Sequence, residues 1–155
     1  MIQQQGMANS GAPLFAEYSL FYEVSIMLLE IGETKKITVS ARQFWNDSGI
    51  DVEEKGIYSF AASGKWLDFY IFTNPNGYPG YLYQKKLATG LRQPNANWFA
   101  LCGNIDKKNS SNFLIGSSCR YRADSTGRLF CYANDLPSWY WNNFFCVEVS
   151  VTRIE

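Results

Sequence analysis

The side chains most able to do chemistry in this 155-residue chain stand together in NDLPSWYWNN, Asn134 to Asn143. Asp135 is followed by Pro137 and then, seven and eight positions on, by the adjacent carboxamides of Asn142 and Asn143. These three side chains offer oxygen acceptors only of the carboxylate and amide kind. A hard cation such as Ca²⁺ takes about six to eight such oxygens, mixing carboxylate, amide and main-chain carbonyls. Pro137 stiffens the segment, which would help aim carbonyls inward. The commoner use of Asn and Asp between strands is to bridge turns through their own backbone, and on residue types alone that use outweighs a metal site. The spacing is not that of an EF-hand loop, which needs alternating acids, a central Gly and a closing Glu.

Other chemistries are narrowed by what the chain contains. It has no histidine, so Ser-His-Asp and Cys-His catalysis and imidazole-held zinc are excluded. The four cysteines, Cys102, Cys119, Cys131 and Cys146, include no CxxC pair. Cys102, Cys131 and Cys146 lie in apolar runs, where buried reduced thiols are expected; spacing alone leaves a disulfide open. A glycosidase with paired carboxylates could draw on Asp47, Asp51, Glu53 and Asp68, but the first three sit in or beside turn signals, where solvated charge is the rule. SGKW lacks the upstream glycine of a phosphate loop. With 14 basic and 14 acidic residues there is no electrostatic case for nucleic acid. MIQQQGMANSGAP has no basic start followed by an apolar stretch, so no secretory signal is visible and the glycosylation patterns at Asn46 and Asn109 carry little weight. The most apolar run, LFYEVSIMLLEIG, is broken by Glu23 and Glu30 and is too short to span a bilayer. The chain reads as soluble, with its compartment undetermined.

The elements that must position the oxygens read as short strands. Residues 1–13 are small and polar and are expected to be disordered. Tyr18, Leu20, Tyr22, Val24, Ile26 and Leu28 alternate with polar residues, which predicts an extra strand over 18–30, a helix being the alternative. GETK and NDSG read as turns; KITVSAR, IYSFAASG, WFALCGNI, FLIGSS, GRLFCYAND and FFCVEVSVTRI read as strands, with FFCVEVSV central. Residues 73–97, rich in Gly, Pro and Asn, read as a long loop of the kind that is functional or mobile. No long helical period and no internal repeat is present. An aromatic content of 17% suits a β core, with some rings free to stack on sugars or bases. The pattern predicts an all-β sandwich or barrel.

NDLPSWYWNN before a terminal strand resembles the calcium-site segment of the PA-I galactophilic lectin family, the small bacterial lectins of LecA type. That pattern has an Asp, a Pro two residues later and an Asn-Asn pair, matched by Asp135, Pro137, Asn142 and Asn143. ITVSARQFWNDSGIDVEEKGIYSFAASGKWLDF, WFALCGNI, and FLIGSS followed by GRLFCYAND are similar to further segments of the family, in order. The resemblance covers residues 36–155, leaving 1–35 as an N-terminal extension. It implies a jelly-roll type β-sandwich that binds a carbohydrate, galactose-like or another glycan, through bound Ca²⁺. It implies side-chain ligands Asp135, Asn142 and Asn143 and main-chain carbonyls from Trp139 and Asp68, or from Phe69 if the alignment slips by one. Asp135, Asn142 and Trp139 are the implied sugar contacts; Gln84 and Asn97 of the middle loop are candidate sugar contacts for which loop solvation is the more usual explanation. Tyr83, Arg92 and Gln93 are further candidates for the pocket, although solvation in a loop explains each of them. The family has small residues, often Gly, where this chain has Ser138 and Trp141; a bulky residue there is costly if positive φ is required. The family's galactose pocket also uses a His that this chain lacks. Weak single sugar sites gain avidity by association, so a homo-oligomer is expected. The alternative is a sandwich that has lost its site and serves as an interaction or structural domain.

Overall fold

A computed structural model describes residues 26–155. Its strands, in chain order, are β1 (Thr34–Ser40), β2 (Asn46–Val52), β3 (Ile57–Gly64), β4 (Trp66–Asp68), β5 (Ile71–Thr73), β6 (Leu101–Ile105), β7 (Phe113–Leu114), β8 (Ser118–Arg122), β9 (Gly127–Ala133), β10 (Asn143–Phe144) and β11 (Cys146–Arg153). A single short helix, α1 (Leu82–Lys85), and three 3₁₀ turns complete the described elements.

The chain is an all-β sandwich of jelly-roll type. One four-stranded sheet runs β1-β11-β3-β8 and the other β2-β9-β6-β7, with antiparallel pairing throughout. Alternation places Val147, Val149 and Val151 of β11 inward, and β11 lies between β1 and β3 as the sequence predicts. They meet Tyr58, Phe60, Ile50, Leu101, Leu129 and Cys131 in one buried core. The same phase turns Cys146 outward: it is exposed, contrary to the expectation of a buried thiol, whereas Cys102 and Cys131 are buried and all four cysteines are free.

Several local expectations are corrected. NDSG is not a turn but part of β2, whose pairing with β9 shifts register between Asp47 and Asp51. A bulge takes up the extra residues: Gly49 stands at φ 66, and Ser48 Oγ donates to the Leu129 carbonyl at 2.7 Å, replacing a ladder bond. FLIGSS is strand only at Phe113–Leu114; the chain turns at Gly116 (φ 62) and restarts as β8, an edge strand whose weak burial pattern hid it from the sequence. WFALCGNI becomes strand only from Leu101, because Phe99 stands at φ 58. The GETK turn falls slightly earlier, at Ile31–Gly32. Residues 18–25 of the expected N-terminal strand lie outside the described residues; over 26–30 the chain makes one parallel bridge, Leu28 to Asp51, and buries Leu29 in the core.

A third, small sheet, β10-β4-β5, sits at one end of the sandwich. Its central pairing sets Asn143 directly opposite Asp68 and Phe144 opposite Leu67. Residues opposed in an antiparallel pair project to the same face about 5 Å apart. This register, closed between positions 75 apart in sequence, assembles the candidate site.

Candidate metal and ligand site

The segment 134–142 leaves the end of β9 and must be held before it can hold anything. Asn134 is fully buried and does the turn-bridging that its residue type suggests: its Oδ1 accepts from Gln93 N at 2.9 Å and its Nδ2 donates to the carbonyls of Gln93 and Asn97 at 2.9 and 3.0 Å. Tyr140 donates its hydroxyl to the Ala133 carbonyl at 2.5 Å and accepts from Arg92 Nη1 at 2.7 Å. The Arg92 guanidinium lies 3.6 Å from the Tyr132 ring, 3.8 Å from Phe44 and 4.1 Å from Trp45. Its main-chain N–H reaches the Asp135 carbonyl at 3.3 Å. Arg92 therefore ties both ends of the segment to the sandwich.

Within that frame the three ligand candidates separate from Asn134. Asp135 is fully buried; its Oδ1 accepts from Leu136 N at 2.7 Å and its Oδ2 from Asn143 Nδ2 at 3.0 Å. Asn143 Nδ2 also donates to the Ala41 carbonyl at 3.3 Å, which fixes the amide orientation. The result is that Asn143 Oδ1 is buried with no partner, and so is Asn142 Oδ1. Each orphaned amide oxygen carries a desolvation cost of about 1–3 kcal/mol. Turn bridging accounts for Asn134 and leaves these two unexplained.

Electrostatics point the same way. Burial pushes the Asp135 carboxyl up to about 7; the Asn143 N–H opposes this, the nearby Asp68 charge adds to it, and the Leu136 N–H opposes it. Asp68 is itself only 3% exposed and is raised by burial, against a hydrogen bond from Tyr78. Two buried carboxylates and two orphaned amide oxygens form a region short of positive charge. Among the described residues no three His, Cys, Asp or Glu side chains gather to hold a metal, so any ion here relies on amide and main-chain oxygens as well. The donor set fits a hard, oxygen-seeking cation and does not suit a soft one.

Trp139 and Asn142 belong to a tight turn in which Trp139 N donates to the Leu136 carbonyl at 3.0 Å and Asn142 N to the Trp139 carbonyl at 3.2 Å. Neither Ser138 nor Trp141 has positive φ, so the strain feared at those bulky positions is absent. Phe69 does, at φ 52, as the chain turns from β4 to β5, and its N–H donates to the Asn142 carbonyl at 3.1 Å.

A pocket of about 340 Å³ opens above this cluster. Asp68, Gln84 and Asn142 supply its polar groups, and Tyr83, Trp139 and Trp141 are among its aromatic walls. Asp135 and Asn143 lie beneath, fully buried. Gln84 is reached through a chain of bonds: its Oε1 accepts from Tyr81 N at 2.8 Å, its Nε2 donates to the Tyr78 hydroxyl at 2.7 Å, and Tyr78 donates to Asp68 Oδ2. Asn97 does not line this pocket; it is exposed and donates to the Asn76 carbonyl at 3.2 Å. Arg92 and Gln93 line a separate cavity. Asp47 and Asp51 pair with Arg128, and Glu53 with Arg153, away from the pocket. Sequence reasoning missed Tyr78 and Tyr70, and it named Asp68 and Phe69 without the pocket roles of their side chains, Asp68 as a main-chain ligand or a glycosidase acid and Phe69 as an alternative main-chain ligand; the only sequence signal for the two outer aromatics is the aromatic density itself.

No protein-family model and no curated protein matches the chain by sequence. Among solved structures, one described as "EclA N-terminal domain; PllA-like lectin" is similar over 76% of this chain and 94% of that one, with a TM-score of 0.57 and 18% identity. This likeness establishes a lectin-like sandwich fold. No described helix is long and apolar enough to cross a membrane.

Proposed function

We propose that the chain is a calcium-dependent carbohydrate-binding module. The observation that carries this reading is the pair of buried, unpartnered amide oxygens of Asn142 and Asn143 beside the buried carboxylate of Asp135. The lectin-like fold and the spacing shared with the PA-I pattern support it. A calcium ion would be held by Asp135, Asn142 and Asn143 with the main-chain carbonyls of Trp139 and of Asp68 or Phe69. Bound there, it would supply open coordination positions for two vicinal sugar hydroxyls. The protein groups do the rest. Asn143 and the Leu136 N–H orient Asp135, Arg92 and Tyr140 keep the loop closed, and Trp139, Trp141 and Tyr83 offer faces on which the apolar side of a sugar ring can stack. Galactose-type sugars are the first to test. Weak single-site affinity would favour association of several copies.

Titration calorimetry with calcium, followed by a glycan array with and without chelator, tests the proposal. Calcium heat with chelator-sensitive glycan signal is expected, and Asp135→Asn should lower both. Sugar binding that survives chelation rejects the bridging role. The absence of both signals favours an interaction domain without sugar binding.

A further inference from the structure

The pocket wall carries one carboxylate, Asp68, among its lining residues. It is placed by the β4–β10 register, opposite Asn143. One of its oxygens, Oδ2, accepts from the Tyr78 hydroxyl, which is held in turn by Gln84 and, through Gln84, by the main chain at Tyr81. Tyr78 is fixed independently: its N–H donates to the Trp98 carbonyl at 2.9 Å, and the preceding Gly77 lies so close that a Cβ there would meet that carbonyl oxygen at 2.1 Å. The other oxygen, Oδ1, has no protein partner among the described residues. A relay of this length, ending on a carboxylate at the wall of a cavity, is more than solvation requires. An ionised acceptor in a water-poor site makes a hydrogen bond roughly twice as strong as a neutral one.

We propose that the Asp68 carboxylate, and not only its main chain, is a specificity group of this site: it accepts a hydrogen bond from a third saccharide hydroxyl, one not engaged by the cation. The inference rests on the calcium-lectin reading and refines it. The ligand class is a neutral sugar that offers a vicinal diol on one side and a free hydroxyl donor on the next. Among the described residues no cationic side chain lines the pocket, and the Asp68 carboxylate would repel an acidic or sulfate substituent placed where the third hydroxyl donates, so sugars with an anionic group at that position are disfavoured. Tyr78 and Gln84 are positioning residues that keep Asp68 Oδ1 toward the ligand. In Asp68→Asn the amide oxygen can keep the Tyr78 bond, which turns an N–H₂ donor toward the pocket where an acceptor stood.

The test uses the whole chain on an array of neutral, sialylated and sulfated oligosaccharides, then calorimetry at saturating calcium with the strongest neutral hit and its monodeoxy analogues. Wild type should bind neutral glycans in preference to acidic ones. Asp68→Asn should weaken the neutral hit about tenfold or more, the scale of one charged hydrogen bond. One monodeoxy analogue should bind wild type and Asp68→Asn equally. If Asp68→Asn does not fold, Tyr78→Phe replaces it and should show a smaller loss with the same deoxy pattern. Sugar affinity within twofold of wild type at saturating calcium, or equal sensitivity of every monodeoxy analogue, overturns the proposal while leaving the calcium-lectin reading standing. Preference for acidic glycans also overturns it. No wild-type binding of any glycan in calcium removes the underlying reading, and this one with it.

Discussion

Replacing Asp135 by Asn should change sign with calcium. In the metal-free protein the buried carboxylate is held against its desolvation, with its pKa raised from 3.8 to about 7. A displacement of about three pH units costs the ionised form on the order of 4 kcal/mol above pH ~7. Asn at this position removes that cost. It also loses one of two accepted hydrogen bonds, because Asp135 Oδ1 and Oδ2 both accept, from Leu136 N and Asn143 Nδ2, and an amide can accept at only one of them. That loss is about 1–1.5 kcal/mol. Metal-free Asp135→Asn should therefore be the more stable protein at pH 8, by on the order of 2 kcal/mol, or about 4–8 °C in Tm. The pH dependence follows from the raised pKa. Between about 4 and 7 the native carboxyl holds a proton that the unfolded chain releases, so wild-type stability falls as pH rises through that window. The gap between the two proteins should close towards pH 4. On the proposed reading, calcium at a hundredfold excess over its Kd would stabilise wild type by about 2.7 kcal/mol, and the variant, without that carboxylate, would gain little, so the order of the two melting temperatures should invert. Differential scanning fluorimetry in EGTA and in calcium, at pH 8 and pH 4.5, reads all four corners. A variant less stable than wild type in EGTA at pH 8 would refute the reasoning, since it would mean that the carboxylate is already compensated without a cation.

Three further substitutions or reactions probe the scaffold. Arg92→Met, which strips the bonds to Tyr140 and Phe44 and the ring contacts of the guanidinium, should cost about 2–4 kcal/mol in denaturant melts and weaken calcium binding while the far-ultraviolet β signature persists. Gly77→Ala places a Cβ against the Trp98 carbonyl and Ala100 N and should lower stability by about 2–4 kcal/mol; a wild-type melting curve would show that this approach does not exist in solution. Iodoacetamide at pH 8 should label exposed Cys146 first, seen as a single adduct by mass spectrometry, because burial pushes the thiols of Cys102 and Cys131 up to about 12 and that of Cys119 up to about 11.

Strands with one clean buried face were legible from sequence. β11 alternates Val147, Val149 and Val151 against outward partners, and β3 keeps its expected bounds, because a period of two survives wherever one face meets the core. The failures have separate physical causes. Asn46 to Gly49 carries every turn residue, yet the ladder to β9 is kept by a bulge that Gly49 permits and Ser48 completes. β8 has no fully buried position to mark it. β4, β5 and β10 are two or three residues long, too short for any periodicity to register.

The candidate site shows the same divide between local and distant information. Asp135, Asn142 and Asn143 could be picked out as candidates because they stand within ten residues of chain. Which of the carboxamides bridges the loop and which is left with an orphaned oxygen could not, since that depends on Gln93, Asn97 and Ala41, between 37 and 102 positions away. Asp68 is the sharpest case. In sequence it is one carboxylate in KWLDF with no motif around it, which suggests a main-chain ligand by resemblance and otherwise only one of four scattered acids for a glycosidase pair. Its side chain becomes part of the site through the register that pairs it with Asn143 and through a tyrosine ten residues on, itself seated by the close approach of Gly77 to Trp98. A loop can supply the ligands of a cation by spacing alone. A specificity group must come from a second element, and only the register of the sheet decides which side chain that element turns toward the pocket.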